Sequence, residues 1–152
     1  MSDLPARLDD QLCFALYAAS GAMTRLYREP LAKLGLTYPQ YLVMLVLWEQ
    51  DGLSVNAIGE RLHLDSGTLT PMLKRMEAAG LVTRTRSADD ERRVDIRVTD
   101  RGRALRGPAR EMQVALACQM PLDVGDFRRL RGEIRRLAED LHAKESTPVD
   151  KA

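Results

Sequence analysis

The sequence predicts a mainly α-helical protein with a small β-hairpin wing, the arrangement called a winged helix-turn-helix. Apolar residues recur at three- and four-residue steps over most of the 152 residues, which is the period of a helix packed on one face. Two segments, residues 81–86 and 94–98, instead alternate between apolar and polar residues, as strands do. They follow two short predicted helices. This order of short helix, tight turn, helix and hairpin defines the fold class.

Composition limits the kinds of protein to be considered. Hydrophobic residues make up 45% of the chain, enough for the core of one domain or of one lobe with helical additions. The longest apolar run, residues 41–48, is far shorter than the ~20 residues of a membrane span, and the polar N-terminus does not resemble a signal sequence. We therefore expect a cytoplasmic protein with no membrane partner, in which Cys13 and Cys118 are reduced thiols.

Charge is distributed unevenly along the chain. The whole sequence carries 23 basic and 22 acidic residues. Residues 61–103 contain ten basic and seven acidic residues, a net charge of +3, which leaves −2 for the remainder. The total charge argues neither for nor against a nucleic-acid partner, and the middle of the chain is its basic part.

Helix signals organise the first third of the chain. A long first helix is predicted from Leu8 to about Pro30, with acidic residues near its start. Residues 37–40, with the sequence TYPQ, have the spacing of a capping box and tolerate proline in the first turn. They open a second helix that extends to about Glu49.

A pair of short helices and a hairpin follow. Ser54 is expected to cap a third helix that ends at Leu62. Asp65 or Ser66 is expected to cap a fourth helix that runs to Ala79, where a glycine terminates it. Only about three residues separate the two helices. The charged loop 87–93 joins the two predicted strands.

The C-terminal third is again helical. Thr99 is expected to cap a helix whose continuation to Met120 stays open, because two glycines and a proline interrupt the pattern. A last amphipathic helix is predicted over residues 124–142, and the segment after Lys144 is expected to be disordered.

The fourth helix is the candidate recognition helix, because a helix in this position of the fold fits a major groove about 12 Å wide. Small residues near its N-terminus permit close approach to bases, and two longer basic residues reach phosphate. These candidates are Ser66, Gly67, Thr68, Thr70, Lys74 and Arg75. The alternative for all of them is the exposed face of an ordinary capped helix.

The hairpin supplies a second set of DNA-binding candidates. An arginine at the end of a two-stranded ribbon can enter the narrow minor groove, and a neighbouring carboxylate can hold its guanidinium. The candidates in the hairpin are Arg86, Asp90, Arg92 and Arg93. Taken alone, the charge run of residues 89–93 is equally typical of a solvated loop.

The sequence resembles the multiple-antibiotic-resistance regulator (MarR) family over nearly its whole length. The resemblance rests on the helix pair, on residues 90–92 (DER) of the wing and on residues 98–102 (VTDRG). A narrower similarity, to the organic hydroperoxide resistance regulators, rests on residues 8–17 (LDDQLCFALY) and 35–41 (GLTYPQY). This similarity implies a dimeric transcriptional repressor that binds a palindromic DNA operator and is released by oxidation.

The resemblance also implies how the chain is divided. The first and last helices would form a homodimer, so residues 1–36 and 104–145 are assigned to a helical dimerisation region. Residues 37–103 are assigned to the winged DNA-binding lobe, and residues 146–152 to a disordered tail. Two such lobes would bind two half-sites of a pseudo-palindrome in double-stranded DNA.

Cys13 is the candidate redox sensor. It lies in the second turn of the predicted first helix, where the helix dipole weakly favours a thiolate. Tyr27 lies on the same helical face but about 21 Å away, so only an antiparallel helix of a second subunit brings the two residues together. The resemblance implies that Tyr27 and Tyr38 of the partner subunit stabilise the thiolate. The alternative for Cys13 is a small buried hydrophobe.

Cys118 is the candidate resolving cysteine, again by resemblance, since some family members add a second cysteine from the C-terminal half. The sulfenic acid formed on Cys13 by an organic hydroperoxide would then condense with Cys118 of the other subunit. A structural role for Cys118 stays open, because spacing does not show that it approaches Cys13. Apolar residues are expected to favour organic hydroperoxides at the sensor, namely Leu12, Phe14, Leu16, Met44 and Leu45.

Two other functions are compatible with parts of the sequence. A regulator of the same fold, released by a phenolic or drug-like ligand, would use both cysteines structurally. A thiol peroxidase is disfavoured, because Thr-x-x-Cys and Cys-x-x-Cys segments are missing and the wing would be unexplained. No enzyme is predicted. His63 and His142 have no ligand spacing, so no metal site and no cofactor are predicted either.

Overall fold

A computed structural model describes residues 7–87, 90 and 92–145. The chain divides into two compact units, residues 1–117 and 118–152, and each is described by itself. The first unit holds six α-helices and a three-stranded sheet among its described residues, and the second holds one α-helix. None of the described helices combines the length and the apolar composition that a membrane crossing requires.

The first helix differs from its prediction at both ends. A short 3-10 turn, Leu8–Asp10, precedes it, and α1 spans Leu12–Lys33, because Gln11 has extended backbone angles that separate the two. Pro30 lies inside the helix instead of ending it. The hydrogen bond that proline cannot make is offset by burial of the next residue, since Leu31 is only 1% exposed in the core.

The second helix, α2 at Tyr38–Glu49, confirms its predicted capping box. The backbone N–H of Gln40 donates to Thr37 Oγ1 at 3.4 Å, and the backbone N–H of Thr37 donates to Gln40 Oε1 at 2.9 Å. This helix runs through the middle of the core. Its buried side chains are Tyr41, Val43, Met44, Val46 and Leu47.

The helix pair also confirms the prediction. Helix α3 spans Val55–Leu62 and α4 spans Ser66–Ala78. Of the two residues proposed to cap α4, Asp65 does so: its Oδ1 accepts from the backbone N–H of Thr68 at 2.9 Å. The turn between the helices is tight, since a Cβ on Gly59 would lie 2.5 Å from the carbonyl oxygen of Leu64.

The wing is a three-stranded antiparallel sheet. Strands β2, Val82–Arg86, and β3, Val94–Val98, form the predicted hairpin, and β3 also pairs with a two-residue strand β1, Leu53–Ser54. The strand order is β1-β3-β2. Strand β1 was not predicted, because two residues are too few to display an alternating pattern. It ties the start of α3 to the hairpin.

After the wing the chain returns to helix. The side chain of Thr99 accepts from the backbone N–H of Gly102 at 3.0 Å and caps α5, Asp100–Ala104. Helix α6, Arg106–Ala117, follows directly, so helical structure continues through Gly107 and Pro108. Trp48 Nε1 donates to the carbonyl oxygen of Gly102 at 3.1 Å, which joins α2 to α5.

The second unit contains α7, Val124–Glu145, which extends three residues beyond the predicted end at His142. The backbone N–H of Asp126 donates to Asp123 Oδ1 at 2.8 Å in its first turn. The tail predicted to be disordered, residues 146–152, lies outside the described residues.

Candidate DNA-binding surface and thiol site

Helix α4 separates its core residues from its DNA-binding candidates. Its buried residues, Leu69, Met72, Leu73 and Met76, recur at three- and four-residue steps. Ser66, Gly67 and Thr68 are exposed in the first turn, and Thr70 is half-buried. The small residues predicted to approach bases therefore lie away from the core.

Asp65 determines which hydrogen-bonding groups remain available at the N-terminus of α4, the end that would meet DNA. Hydrogen bonds lower the pKa of Asp65, first from the Thr68 hydroxyl at 2.9 Å and then from the Thr68 backbone N–H. The carboxylate is thus charged at neutral pH and occupies the first N–H groups of α4. Since the Thr68 hydroxyl proton is donated to Asp65, Thr68 is left to act as an acceptor toward a base or a water molecule.

The two basic candidates of α4 differ in how their side chains are engaged by neighbouring groups. Lys74 is exposed, and no acidic partner pairs with it among the described residues. Arg75 is also exposed, but its Nε donates to the carbonyl oxygen of Pro71 at 3.3 Å, so its guanidinium lies along its own helix. Lys74 is the more readily extended of the two toward a phosphate.

Asp90 shapes the tip of the wing through the backbone. Its Oδ1 accepts from the backbone N–H of Arg92 at 2.9 Å, and its carbonyl oxygen accepts from the backbone N–H of Arg93 at 2.9 Å. The sequence predicted that a carboxylate would hold an arginine fork, and Asp90 instead holds the peptide group of Arg92. Asp89 and Glu91, the other acidic residues of this tip, lie outside the described residues.

The three predicted DNA-binding arginines of the wing differ in their ionic partners. Arg92 and Arg86 are exposed and have no acidic partner among the described residues. Arg93 is exposed too, but its Nε lies 2.7 Å from Asp95 Oδ1 in an ion pair. Arg92, at the tip, is therefore the arginine best placed to enter a minor groove.

A groove of about 480 Å³ lies between the start of α4 and the wing. Its lining residues are Ser54, Val55, Asn56, Ser66, Thr70, Arg84, Asp90, Arg92, Arg93 and Val94. Arg84 was missed by the sequence analysis. The available signal was strand parity: Arg84 lies two residues after Val82, which is 1% exposed, so its side chain starts on the inward face of β2.

Cys13 is exposed in the first turn of α1 rather than in the second turn, because the helix begins at Leu12. The first turn is the part of a helix in which its dipole acts most strongly. The alternative of a buried hydrophobe is wrong for the single chain. Phe14 is 38% exposed beside it, whereas Met44 is fully buried in the core and does not belong to this surface.

Tyr27 and Tyr38, the two predicted thiolate ligands, are in ring contact. Their centroids lie 5.3 Å apart in an edge-on arrangement, and Tyr41 joins them at 6.0 and 6.3 Å. Burial raises the pKa of Tyr27 and of Tyr38, and burial followed by repulsion from the other two phenols raises the pKa of Tyr41 to about 12. All three phenols are therefore protonated donors at neutral pH.

Cys118 is exposed as well, at the start of the second unit. It follows the last residue of α6 directly in sequence. Both cysteines are free thiols.

A second cavity, of about 530 Å³, lies between α2 and α6. Tyr41, Leu45 and Trp48 line its α2 side, and Arg106 and Arg110 are among the residues on its α6 side. The cavity thus combines an aromatic and apolar wall with two guanidinium groups and with the carboxylate of Glu49, which pairs with Arg61.

The helix pair, the wing and the exposed basic and small polar residues on them define a winged-helix DNA-binding regulator. A family model described as "Transcriptional regulator SarA/Rot" matches residues 25–106. The chain belongs to the MarR/SarA family of winged-helix regulators.

Named relatives support this assignment. The chain is 51% identical, over 93% of its length and 73% of the relative, to the HTH-type transcriptional regulator TtmR of Methylorubrum extorquens strain PA1. It is 48% identical, over 91% of its length and 94% of the relative, to the organic hydroperoxide resistance transcriptional regulator of Bacillus subtilis strain 168. Because these relatives are transcriptional regulators and not enzymes, the peroxidase alternative is set aside.

Solved structures share the fold. The reduced form of AbfR bound to DNA superposes with a TM-score of 0.82 at 35% identity, covering 96% of this chain and all of that one. AbfR in its disulfide-formed state superposes with a TM-score of 0.63 at 36% identity, over 93% of this chain and 94% of that one. The predicted winged helix-turn-helix is confirmed, and the comparison includes a protein of this fold seated on DNA.

Proposed function

We propose that this regulator is a homodimeric repressor that senses organic hydroperoxides through Cys13 and leaves its operator when Cys13 is oxidised. One observation carries the proposal: an exposed cysteine in the first turn of α1 accompanies two neutral phenols, Tyr27 and Tyr38, in ring contact. The 48% identity to a regulator named for organic hydroperoxide resistance supports the same signal.

A homodimer explains the apolar residues that the single chain leaves exposed. Large apolar side chains are exposed along α1 and α7, namely Leu12, Phe14, Tyr17, Met23, Val124, Phe127, Leu130, Ile134 and Leu141. Burying such side chains against a second copy contributes about 25 cal/mol for each Å² removed from water. The proposed division therefore keeps residues 1–36 and 104–145 as the dimerisation region and 37–103 as the DNA-binding lobe.

Dimerisation would also bring Cys13 close to Tyr27, a contact that one chain cannot make by itself. Cys13 and Tyr27 belong to the same helix and are about 21 Å apart along it. A two-fold axis that crosses α1 with its copy antiparallel would bring Tyr27 and Tyr38 of the partner subunit to Cys13, twice per dimer. Two phenol donors would then stabilise the thiolate through charge-assisted hydrogen bonds.

The proposed redox chemistry has two steps. The Cys13 thiolate attacks the terminal oxygen of the hydroperoxide, the O–O bond breaks, and the products are a sulfenic acid and, after protonation, an alcohol. The thiol of Cys118 of the partner subunit then displaces water from the sulfenic acid and forms a disulfide. The apolar side chains of Leu12 and Phe14, which flank Cys13 in sequence, would favour a hydroperoxide with an organic substituent.

On DNA, α4 of each subunit is proposed to read one half-site in the major groove, while Arg92 enters the adjacent minor groove. Ser66, Gly67, Thr68 and Thr70 would face bases, and Lys74 and Arg75 would face phosphate, with Arg86 and Arg93 beside them. A disulfide between helices of the dimerisation region would change the spacing of the two α4 helices and weaken binding to fixed half-sites. Such a regulator acts where the chromosome is, so a cytoplasmic location is part of the proposal.

The test is operator binding by the wild type and by Cys13→Ser, each with and without cumene hydroperoxide. Both reduced proteins should bind equally, and the hydroperoxide should release only the wild type. Equal release of both proteins would rule out Cys13 as the sensor.

The cavity between α2 and α6 favours a second candidate, a regulator released by a phenolic or drug-like ligand. Trp48 would stack on an aromatic ring, and Arg106 or Arg110 would bind its carboxylate. Salicylate would then release Cys13→Ser from the operator without any oxidant. Retention of Cys13→Ser on DNA at saturating salicylate counts against this candidate.

A further inference from the structure

Arg84 is held in place by a residue of the recognition helix. Its backbone N–H donates to Glu77 Oε1 at 3.1 Å, and its Nη1 lies 3.6 Å from Glu77 Oε2. The second distance is that of an ion pair without a hydrogen bond. The Arg84 side chain is only 21% exposed, so β2 and α4 enclose most of it.

The Arg84 guanidinium has a donor that the described residues leave unused. Its Nε is buried and has no hydrogen-bond partner. A buried N–H without an acceptor is unfavourable unless a water molecule, an ion or a ligand supplies one. Arg84 lines the groove between α4 and the wing, and because its Nε is itself buried, an acceptor that enters this groove would reach the unused donor once the side chain turns toward the groove.

Three arginines, Arg84, Arg92 and Arg93, line the groove together with one carboxylate, Asp90. Glu77 pairs with Arg84 and Asp95 pairs with Arg93, but neither of these acids lines the groove. Asp90 Oδ1 is already engaged by the backbone N–H of Arg92. A ligand for this groove is therefore expected to be an anion with several oxygen acceptors.

The position of the groove identifies this anion. In the proposed binding mode, on which this inference rests, α4 occupies the major groove and the tip of the wing occupies the adjacent minor groove. One sugar-phosphate strand separates these two grooves of DNA, and it must pass between the two protein elements. The space between them in this chain is the groove that Arg84 lines, with Ser66 and Thr70 on one wall and Arg92 on the other.

We infer that Arg84 is a DNA phosphate ligand that receives the sugar-phosphate strand between the major-groove and minor-groove contacts. Planar guanidinium groups suit phosphate oxygens, because two parallel N–H donors fit two oxygens. Glu77 holds the residue through its backbone N–H and through the ion pair with Nη1, and Nε has no partner among the described residues.

The test measures the salt dependence of DNA binding by reduced protein, with a duplex that the wild type selects from a random-sequence pool. In Arg84→Gln, the slope of log affinity against log salt concentration should fall by about 0.9 for each subunit, or about 1.8 for the dimer. Arg97→Gln is the matched control: it makes the same charge change on the neighbouring strand β3, at an exposed residue outside the groove. An unchanged slope in Arg84→Gln, or an equal fall in both variants, would overturn the inference.

A second measurement needs no variant and so does not depend on whether Arg84→Gln folds. Single neutral methylphosphonates are placed in turn along the selected duplex, and wild-type affinity is measured for each. Affinity should fall at the phosphates that separate the major-groove and minor-groove segments of each half-site, and this loss should be smaller in Arg84→Gln. Uniform affinity across those positions would refute the inference. Failure of the wild type to select any duplex would instead refute the proposed function.

Discussion

At the scale of single residues, the environment of Tyr27 and Tyr38 matches the task proposed for them. Burial raises the pKa of both phenols, so both keep their protons at neutral pH and can donate to a thiolate. Both are half-buried, which leaves part of each ring accessible to a partner subunit. Tyr41 contacts both rings but is only 2% exposed, so it supports the pair from the core side.

Replacing Tyr27 or Tyr38 should slow the oxidation of Cys13 without affecting DNA binding. Each phenol-to-thiolate hydrogen bond contributes about 1.5 to 3 kcal/mol because one partner is charged, so Tyr27→Phe or Tyr38→Phe should react about tenfold or more slowly with cumene hydroperoxide. Stopped-flow kinetics at neutral pH measure this rate. Tyr41→Phe is the matched control and should react at the wild-type rate. If all three variants oxidise as fast as the wild type, the phenols do not activate Cys13.

The shifted pKa of Tyr41 also predicts how stability changes in alkali. The pKa of Tyr41 is about 12 in the folded protein and about 10 in the unfolded chain. The contribution of its neutral phenol to the free energy of unfolding is therefore complete below pH 10 and is lost as pH rises toward 12. The loss amounts to about 3 kcal/mol at most. Urea unfolding at pH 9 and at pH 11.5 should show a steeper decline for the wild type than for Tyr41→Phe. Parallel declines would mean that burial does not disfavour the Tyr41 phenolate.

At the scale of elements, local signals predicted most boundaries and tertiary packing decided the others. Side-chain caps at Thr37, Ser54 and Thr99 are local, and each starts a helix where the sequence predicted one. Pro30 is a local stop signal that burial of Leu31 overrides, so α1 is longer than predicted. Arg84 was missed because strand parity predicts only that its side chain starts on the inward face, whereas its contacts with Glu77 depend on how β2 packs against α4.

The wing packs tightly against α5 at Gly102, and substitution of this glycine tests how tightly. A Cβ on Gly102 would lie 2.3 Å from the carbonyl oxygen of Leu81 and 2.8 Å from Val98 Cγ1, so Gly102→Ala must displace backbone. We expect a loss of about 1 to 3 kcal/mol in the free energy of unfolding by urea. Gly107→Ala is the control, because nothing lies within 4 Å of its added Cβ, and it should gain up to about 1 kcal/mol. A Gly102→Ala protein as stable as the wild type would show that the junction is not tightly packed.

At the scale of the whole molecule, the proposed switch links two thiols that the single chain exposes separately. A disulfide requires Cα atoms about 4.4 to 6.8 Å apart, so any greater separation in the reduced dimer must be closed by movement of helices. AbfR, a protein of this fold, has a disulfide-formed state. The position of Cys118 relative to Cys13 could not be predicted from spacing, because it depends on the arrangement of two subunits.

Mixed dimers distinguish a bond between subunits from one within a subunit. Cys13→Ser and Cys118→Ser, each oxidised alone, should give no covalent dimer on non-reducing electrophoresis, and Cys118→Ser should accumulate sulfenic acid. Exchange of subunits between the two variants restores one Cys13 and one Cys118 on opposite chains, so oxidation should then produce a covalent dimer. Absence of this band, where wild type forms it, would exclude the Cys13 to Cys118 linkage between subunits.

Oxidation of Cys13, rather than binding of the oxidant, is proposed to release DNA. A stoichiometric titration tests this proposal most directly. Operator occupancy of the wild type is measured against added cumene hydroperoxide, with the oxidation state of Cys13 determined by mass spectrometry at each point. Occupancy should fall in proportion to oxidised Cys13, reach its minimum near one equivalent per subunit and return on addition of dithiothreitol. Full occupancy on DNA after complete oxidation of Cys13 would contradict the account.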